Sequence, residues 1–170
     1  TGERILNPTT LIEIAEGGSM TMETAQIKGV DSAIRKTDAV LSDGATLIIR
    51  EKIMTHGKQY AETNFHVALN GKDSGARVIS RSIAKDDSRQ KYISCIDGNN
   101  FCTGHTECDA IIMDNGAVTA KPELNANNIE ARLIHEAAIG KIAGEQLIKL
   151  MSLGLTEKEA EEKIVNGFLK

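Results

Sequence analysis

Short apolar segments, several of them alternating with polar residues, follow one another through the first two-thirds of the chain. They include Leu11, Ile12 and Ile14; Ala45 to Ile49; Val78, Ile79 and Ile83; Tyr92 to Ile96; and Ala110 to Met113. Their β-branched and aliphatic content predicts strands, because such side chains suit a pleated, half-buried surface. Gly17-Gly18, Asp43-Gly44, Asn70-Gly71, Asp97-Gly98 and Asn115-Gly116 punctuate them. Taken alone, Asn-Gly and Asp-Gly suggest hairpins, since glycine enters positive φ without a Cβ clash. No strict sequence repeat links the segments, so the pattern by itself predicts an all-β body of many short strands.

The periodicity changes near Gly140. Ile142, Gln146, Leu147, Leu150 and Met151 recur at helical spacing and stop before Gly154, a C′ glycine. A second helix is predicted at once, with Thr156 as N-cap and Glu159 completing a capping box. Ala160, Ile164, Val165, Phe168 and Leu169 make its apolar stripe, opposite Glu157, Lys158, Glu161 and Glu162. Both stripes need cover, from the end of the β body or from a partner.

Composition narrows the β architecture. Aromatic residues are 3% of the chain and tryptophan is absent, which is little for a sandwich core built on large rings. Stacked short strands filled by Ile, Val, Leu and Ala need few rings, which favours a β-solenoid. The 170 residues suit a β-helix core over 1–138 and a helical subdomain over 139–170. Hydrophobic residues at 41% and charged residues at 26% predict a folded, soluble chain.

A net charge of −4 leaves no cationic surplus for a nucleic-acid backbone. No apolar run approaches the roughly 20 residues that span a bilayer. Three cysteines are too few and too odd for a disulfide framework, which points to a reducing cytoplasm. The chain begins at Thr1 rather than methionine, as a processed protein or a piece of a longer one would.

Candidate chemistry is confined to Cys95, Cys102, Cys108, His56, His66, His105 and His135. The densest group runs from Cys102 to Asp109, where thiolate, imidazole and carboxylate together suit iron, zinc or copper. A closed zinc site lacks its C-x-x-C knuckle. On a strand, Cys102 and Cys108 share a face while His105 points away. Cys95, between Ser94 and Ile96, reads as a small core residue, and His56 and His66, beside turns, read as solvated. His135 reads as a hydrogen-bonded histidine at a strand-to-helix junction or as a ligand. No nucleophile elbow, P-loop, dinucleotide fingerprint or HExxH is present, and no glycosidase carboxylate pair stands out. A β-helix carbohydrate enzyme would also want aromatic sugar platforms. The residues therefore favour a non-enzymatic role.

From Gly104 to Leu169 the chain resembles the carboxy-terminal part of the SufB/SufD family, scaffold subunits of the SUF iron–sulfur assembly system. The matching elements come in order: His105-Thr106-Glu107-Cys108-Asp109, Ala110 to Met113, Ala120-Lys121-Pro122-Glu123-Leu124, Ile134 to Ile142, Gly144-Glu145-Gln146-Leu147, Met151 to Leu155, and Ile164 to Phe168. Residues 1–100 match only loosely. The resemblance implies a right-handed β-helix capped by helices, pairing with a second SufB/SufD-type subunit as a homo- or heterodimer, and docking of a SufC-type ABC ATPase on the helical end. It also implies a transient iron–sulfur cluster as cargo. Cys108 looks like the cysteine used in cluster assembly, His135 like the histidine at the subunit interface, and Glu136 like its neighbouring carboxylate. Thiolates are the usual cluster ligands, and adjacent strand residues face opposite ways, which favours His135 over Glu136 beside Cys108. The family's amino-terminal helical domain and its upstream sulfur-receiving cysteine have no counterpart here. The alternative expectation is a metal-free β-solenoid that dimerises and binds a partner.

Overall fold

The computed structural model describes residues 3–27, 29–142 and 144–169. Eleven strands precede two helices: β1 Ile5–Leu6, β2 Thr9–Ile14, β3 Ser19–Gln26, β4 Ser32–Leu41, β5 Thr46–Thr55, β6 Tyr60–Leu69, β7 Ser74–Ala84, β8 Arg89–Gly98, β9 Cys102–Ile112, β10 Ala117–Ala126, β11 Arg132–Lys141, α1 Gly144–Ser152 and α2 Glu157–Phe168. The body is a parallel β-solenoid of about five turns. From β3 onward the chain alternates between two sheets. Sheet A runs β1-β4-β6-β8-β10, with β2 also on β4, and sheet B runs β11-β9-β7-β5-β3. Asn7 and Pro8 separate β1 from β2, where proline has no N–H for the ladder.

All the described strand pairs are parallel, so the glycine turns are corners rather than hairpins. Gly17, Gly44 and Gly57 do take positive φ, of 65°, 61° and 59°. Gly71 serves another purpose. A Cβ there would lie 2.0 Å from the Ser42 carbonyl carbon, so glycine lets one corner nest on the corner a turn below.

Residues in register on successive turns lie 27 to 29 positions apart along the chain. This period escapes a search for repeated letters because only the inward position repeats, not its occupant. Ile49, Val78, Thr106 and His135 form one such stack, and Glu51, Ser80, Cys108 and Ala137 the next. Leu41, Leu47, Ile49, Val67, Leu69 and Val78 fill the apolar part of the lumen with at most 1% exposure. At ~25 cal/mol per Å² of apolar surface, this burial is the main stabilising contribution.

β11 runs on to Lys141. The two helices follow with the expected capping box at Thr156 and Glu159, and Gly154 takes φ 94° beyond α1. No helix among the described residues is long and apolar enough to cross a membrane.

Candidate functional site

Strict alternation along β9 turns Cys102, Gly104, Thr106, Cys108 and Ala110 into the lumen and His105, Glu107 and Asp109 outward. Cys108 is 1% exposed. It lies in register with Ser80 on β7 and Ala137 on β11, and Ser80 is in turn in register with Glu51 on β5.

Glu51 was hidden in the sequence, within Arg50-Glu51-Lys52, which reads as a solvated charge run. The alternation Leu47, Ile49, Glu51, Ile53 is the signal that places it inside. Its carboxyl accepts from the Thr63 hydroxyl at 3.0 Å and the Ser80 hydroxyl at 3.1 Å. Arg35 Nη1 stands 3.5 Å away as a charge contact. Burial pushes the Glu51 carboxyl up, against the opposing pull of those partners. The Tyr92 and Thr106 hydroxyls meet at 2.7 Å, and Thr106 donates to Ser94 at 3.4 Å. The lumen around Cys108 is therefore polar, whereas the stretch near Leu41 and Leu69 is apolar. The Cys108 thiol is pushed up to about 12, chiefly by burial and then by Asp109 and Glu51. At neutral pH it keeps its proton.

His135 lies on the inward face of β11, in register with Thr106, and is thus a diagonal neighbour of Cys108. Its Nδ1 is buried and meets no hydrogen-bond partner among the described residues. A buried ring nitrogen without a partner carries a desolvation cost. β11 is the last strand of sheet B, so His135 stands at the end of the solenoid. It sits mid-strand rather than at the strand-to-helix junction.

Glu136 turns outward. Its carboxylate lies 3.1 Å from His105 Nε2, with Glu107 completing a group whose ligand atoms fall within 4.8 Å of one another. Arg77 approaches Glu107 at 3.5 Å. The wall of sheet B thus separates two constellations, Cys108 with His135 inside and Glu136 with His105 and Glu107 outside.

Cys102 is buried and inward-facing like Cys108, and His56 is exposed at a turn. Two other expectations are corrected. Cys95 is no core residue: Ser94 and Ile96 take the inward positions of β8, and Cys95 faces out, half-buried. His66 lies within β6, not at a turn, with Nε2 2.8 Å from Asp97.

Most residues of the helical stripes, among them Leu147, Leu150, Ile164, Val165 and Phe168, are half-buried rather than buried. α1 buries none of its described residues and α2 only Ala160. Ile148, Met151 and Leu153 are 68%, 43% and 75% exposed. A groove lined by Ile111, Ile139, Ile164 and Phe168 separates the end of β11 from the helices.

The family profile described as "SUF system FeS cluster assembly, SufBD core domain" matches residues 4–168. The chain belongs to the SufB/SufD family. The match thus includes the first hundred residues. An iron-sulfur cluster assembly SufBD family protein of Methanocaldococcus jannaschii is 33% identical, aligned over 99% of this chain and 54% of its own length. A SufBD family protein of Archaeoglobus fulgidus is 32% identical over 97% of this chain and 45% of its own. The iron-sulfur cluster assembly protein SufB of Bacillus subtilis is 35% identical over 62% of this chain and 23% of its own. The chain spans about half the length of the first two SufB/SufD relatives.

Proposed function

We propose that the chain is a scaffold subunit of SUF-type iron–sulfur cluster assembly. It holds a labile cluster as cargo at a subunit interface and docks a SufC-type ABC ATPase through its C-terminal helices. The observation that carries the reading is the pairing of Cys108 with His135 on one inward face, where His135 Nδ1 is buried without a partner. A thiolate and an imidazole suit iron. Two ligands leave a cluster under-coordinated, which suits cargo that must be released, and a second SufB/SufD-type subunit supplies the rest. Glu136, on the outer side of the same strand, contributes from the interface rather than from the lumen. Family membership supports the role in iron–sulfur cluster assembly.

The chain's own residues bind and orient; hydrolysis of ATP belongs to the partner. The exposed Ile148, Met151 and Leu153 support the docking role of the helical end. The free thiols of Cys95, Cys102 and Cys108 agree with a reducing cytoplasm.

Anaerobic reconstitution with iron and sulfide tests the site. Cys108→Ser and His135→Ala should each abolish or strongly weaken the cluster absorption of the parent chain. A normal spectrum in Cys108→Ser would remove Cys108 from the ligand set. A parent chain that binds neither iron nor sulfide would leave the metal-free interaction module as the reading. Co-purification with the ATPase tests docking: polar replacement of Ile148 and Leu153 should release it, and retention would overturn that surface.

A further inference from the structure

A second constellation of metal-ligating side chains lies on the opposite wall from Cys108, on the outer face of sheet A. Asp38 on β4, His66 on β6 and Cys95 on β8 stand in one register row, and Asp97 lies two residues beyond Cys95 on the same face. His66, Cys95 and Asp97 each offer a ligand atom within 4.8 Å of the others. His66 Nε2 is 2.8 Å from Asp97 Oδ2, and Cys95 Sγ is 3.7 Å from Asp97 Oδ1.

The surroundings of the imidazole are unusual for a simple surface pair. Asp38 Oδ1 lies 3.6 Å from Nδ1 while Asp97 flanks Nε2. A neutral imidazole has one N–H and can serve only one of these carboxylates. An imidazolium would serve both; a neutral ring serves both when Nδ1 keeps its hydrogen toward Asp38 and a cation sits between Nε2 and Asp97. That is the carboxylate–histidine–metal arrangement, in which an outer carboxylate fixes the tautomer and raises the ligand's basicity. Asn125 on β10 supplies a second outer contact. Its amide donates to Asp97 Oδ1 at 2.8 Å and to Cys95 Sγ at 3.5 Å, which orients the carboxylate and stabilises a thiolate.

Two other charged groups bear on the row. Lys36 Nζ holds the far oxygen of Asp38 at 3.3 Å, leaving its other oxygen toward His66. Glu123, in register with Cys95, accepts from Asn125 at 3.2 Å and adds negative charge. The His66 side chain is 47% exposed and that of Asp97 23%, so an ion enters from solvent without opening the fold. All the ligands sit within hydrogen-bonded strands, which hold positions better than loops do.

We propose that His66, Cys95 and Asp97 form an open, three-ligand site for one borderline divalent cation, zinc or ferrous iron, with Asp38 and Asn125 as its outer shell. One nitrogen, one sulfur and one oxygen donor match the preferences of those ions and not those of magnesium or calcium. Three protein ligands leave a fourth position for water. The site shares no residue with the Cys108–His135 pair and does not depend on the scaffold reading.

The test is an anaerobic cobalt(II) titration of the Cys108→Ser chain, which removes the scaffold thiol from the readout. One equivalent of cobalt should bind with a thiolate-to-metal charge-transfer band and tetrahedral ligand-field bands. Cys95→Ser should abolish the charge-transfer band, and His66→Ala or Asp97→Asn should weaken binding by more than about tenfold. Asp38→Asn changes no proposed ligand and should weaken it by about 10- to 100-fold. In competition, zinc should displace the cobalt, and ferrous iron, which stands below cobalt in the Irving–Williams order, should do so only in excess. Cobalt binding without a thiolate band, a band that survives Cys95→Ser, or displacement by magnesium or calcium would each overturn the assignment. Far-ultraviolet circular dichroism of each variant confirms that the solenoid is intact.

Discussion

Ser80 lies in register with Cys108 on the adjacent strand, and its hydroxyl donates to the buried carboxyl of Glu51 at 3.1 Å. A thiol, a hydroxyl and a carboxyl thus occupy successive turns of one stack inside a protein wall. Their coupling has consequences for stability, for thiol reactivity and for the limits on sequence change.

Glu51 makes folding pH-dependent. Its carboxyl is held above the ordinary value by burial, so the folded state keeps the proton to higher pH than the unfolded state does. The resulting stability is fully present below the unfolded value and is lost as pH rises through the folded one. Glu51→Gln keeps the neutral form at every pH. Thermal melts between pH 4 and pH 8 should show its Tm gaining on that of the parent chain as pH rises. A parent chain that gains on the variant instead would mean that Arg35 outweighs the burial cost.

The three thiols should react in a fixed order. Cys95 is half-buried on the outer face, with its thiol pushed up to about 11 by burial and the neighbouring Asp97 and Glu123. Cys102 and Cys108 are 2% and 1% exposed. Alkylation of the native chain near pH 8, followed by peptide mass spectrometry, should label Cys95 first and slowly. Its rate should rise about tenfold per pH unit below that value, because the thiolate is the nucleophile. Cys108 should be labelled only on unfolding.

Corner nesting should dominate the cost of glycine replacement. Gly71→Ala drives a Cβ to 2.0 Å from Ser42 backbone, and Gly116→Ala to 2.3 Å from the Ala84 carbonyl oxygen. Each should cost about 3 kcal/mol or more, through overpacking that backbone cannot relieve cheaply. Gly17→Ala meets nothing within 4 Å and is penalised only by its φ of 65°, for about 1–2 kcal/mol. Urea midpoints at unchanged m separate the two classes.

The capping box should act locally. Thr156→Ala removes both the side-chain acceptor for the Glu159 N–H and the hydroxyl contact with its carboxylate, worth about 1 kcal/mol. Since Ala160 is the only buried residue of α2, the loss should appear as faster amide exchange across 157–168 with the midpoint of the β body unchanged.

The helical pair was legible because its signals are local: Thr156, Glu159 and Gly154 do their work within a few residues. The strands were legible from their β-branched content, and the solenoid from the shortage of rings. The turn dipeptides alone did not reveal the parallel pairing, because Asn-Gly and Asp-Gly mark a corner as readily as a hairpin. Cys95 was misread from its immediate neighbours Ser94 and Ile96, and only the whole alternation from Gln90 to Gly98 settles its face. Glu51 went unseen for the same reason, since a charge inside a wall is identified by counting from Leu47. The side-by-side placement of His66 and Cys95 arises one full turn apart along the chain, beyond the reach of any local motif.

The same counting governs what heredity can alter. One residue gained inside β9 ahead of Glu107 would carry the Cys108 thiol to the outer wall and bring Glu107 in beside Ser80. One residue gained at Asn99 to Phe101, in the corner before it, would leave every strand residue on its side. Insertions and deletions among descendants of this gene should therefore collect at the corners, while strand lengths hold steady even where their letters drift.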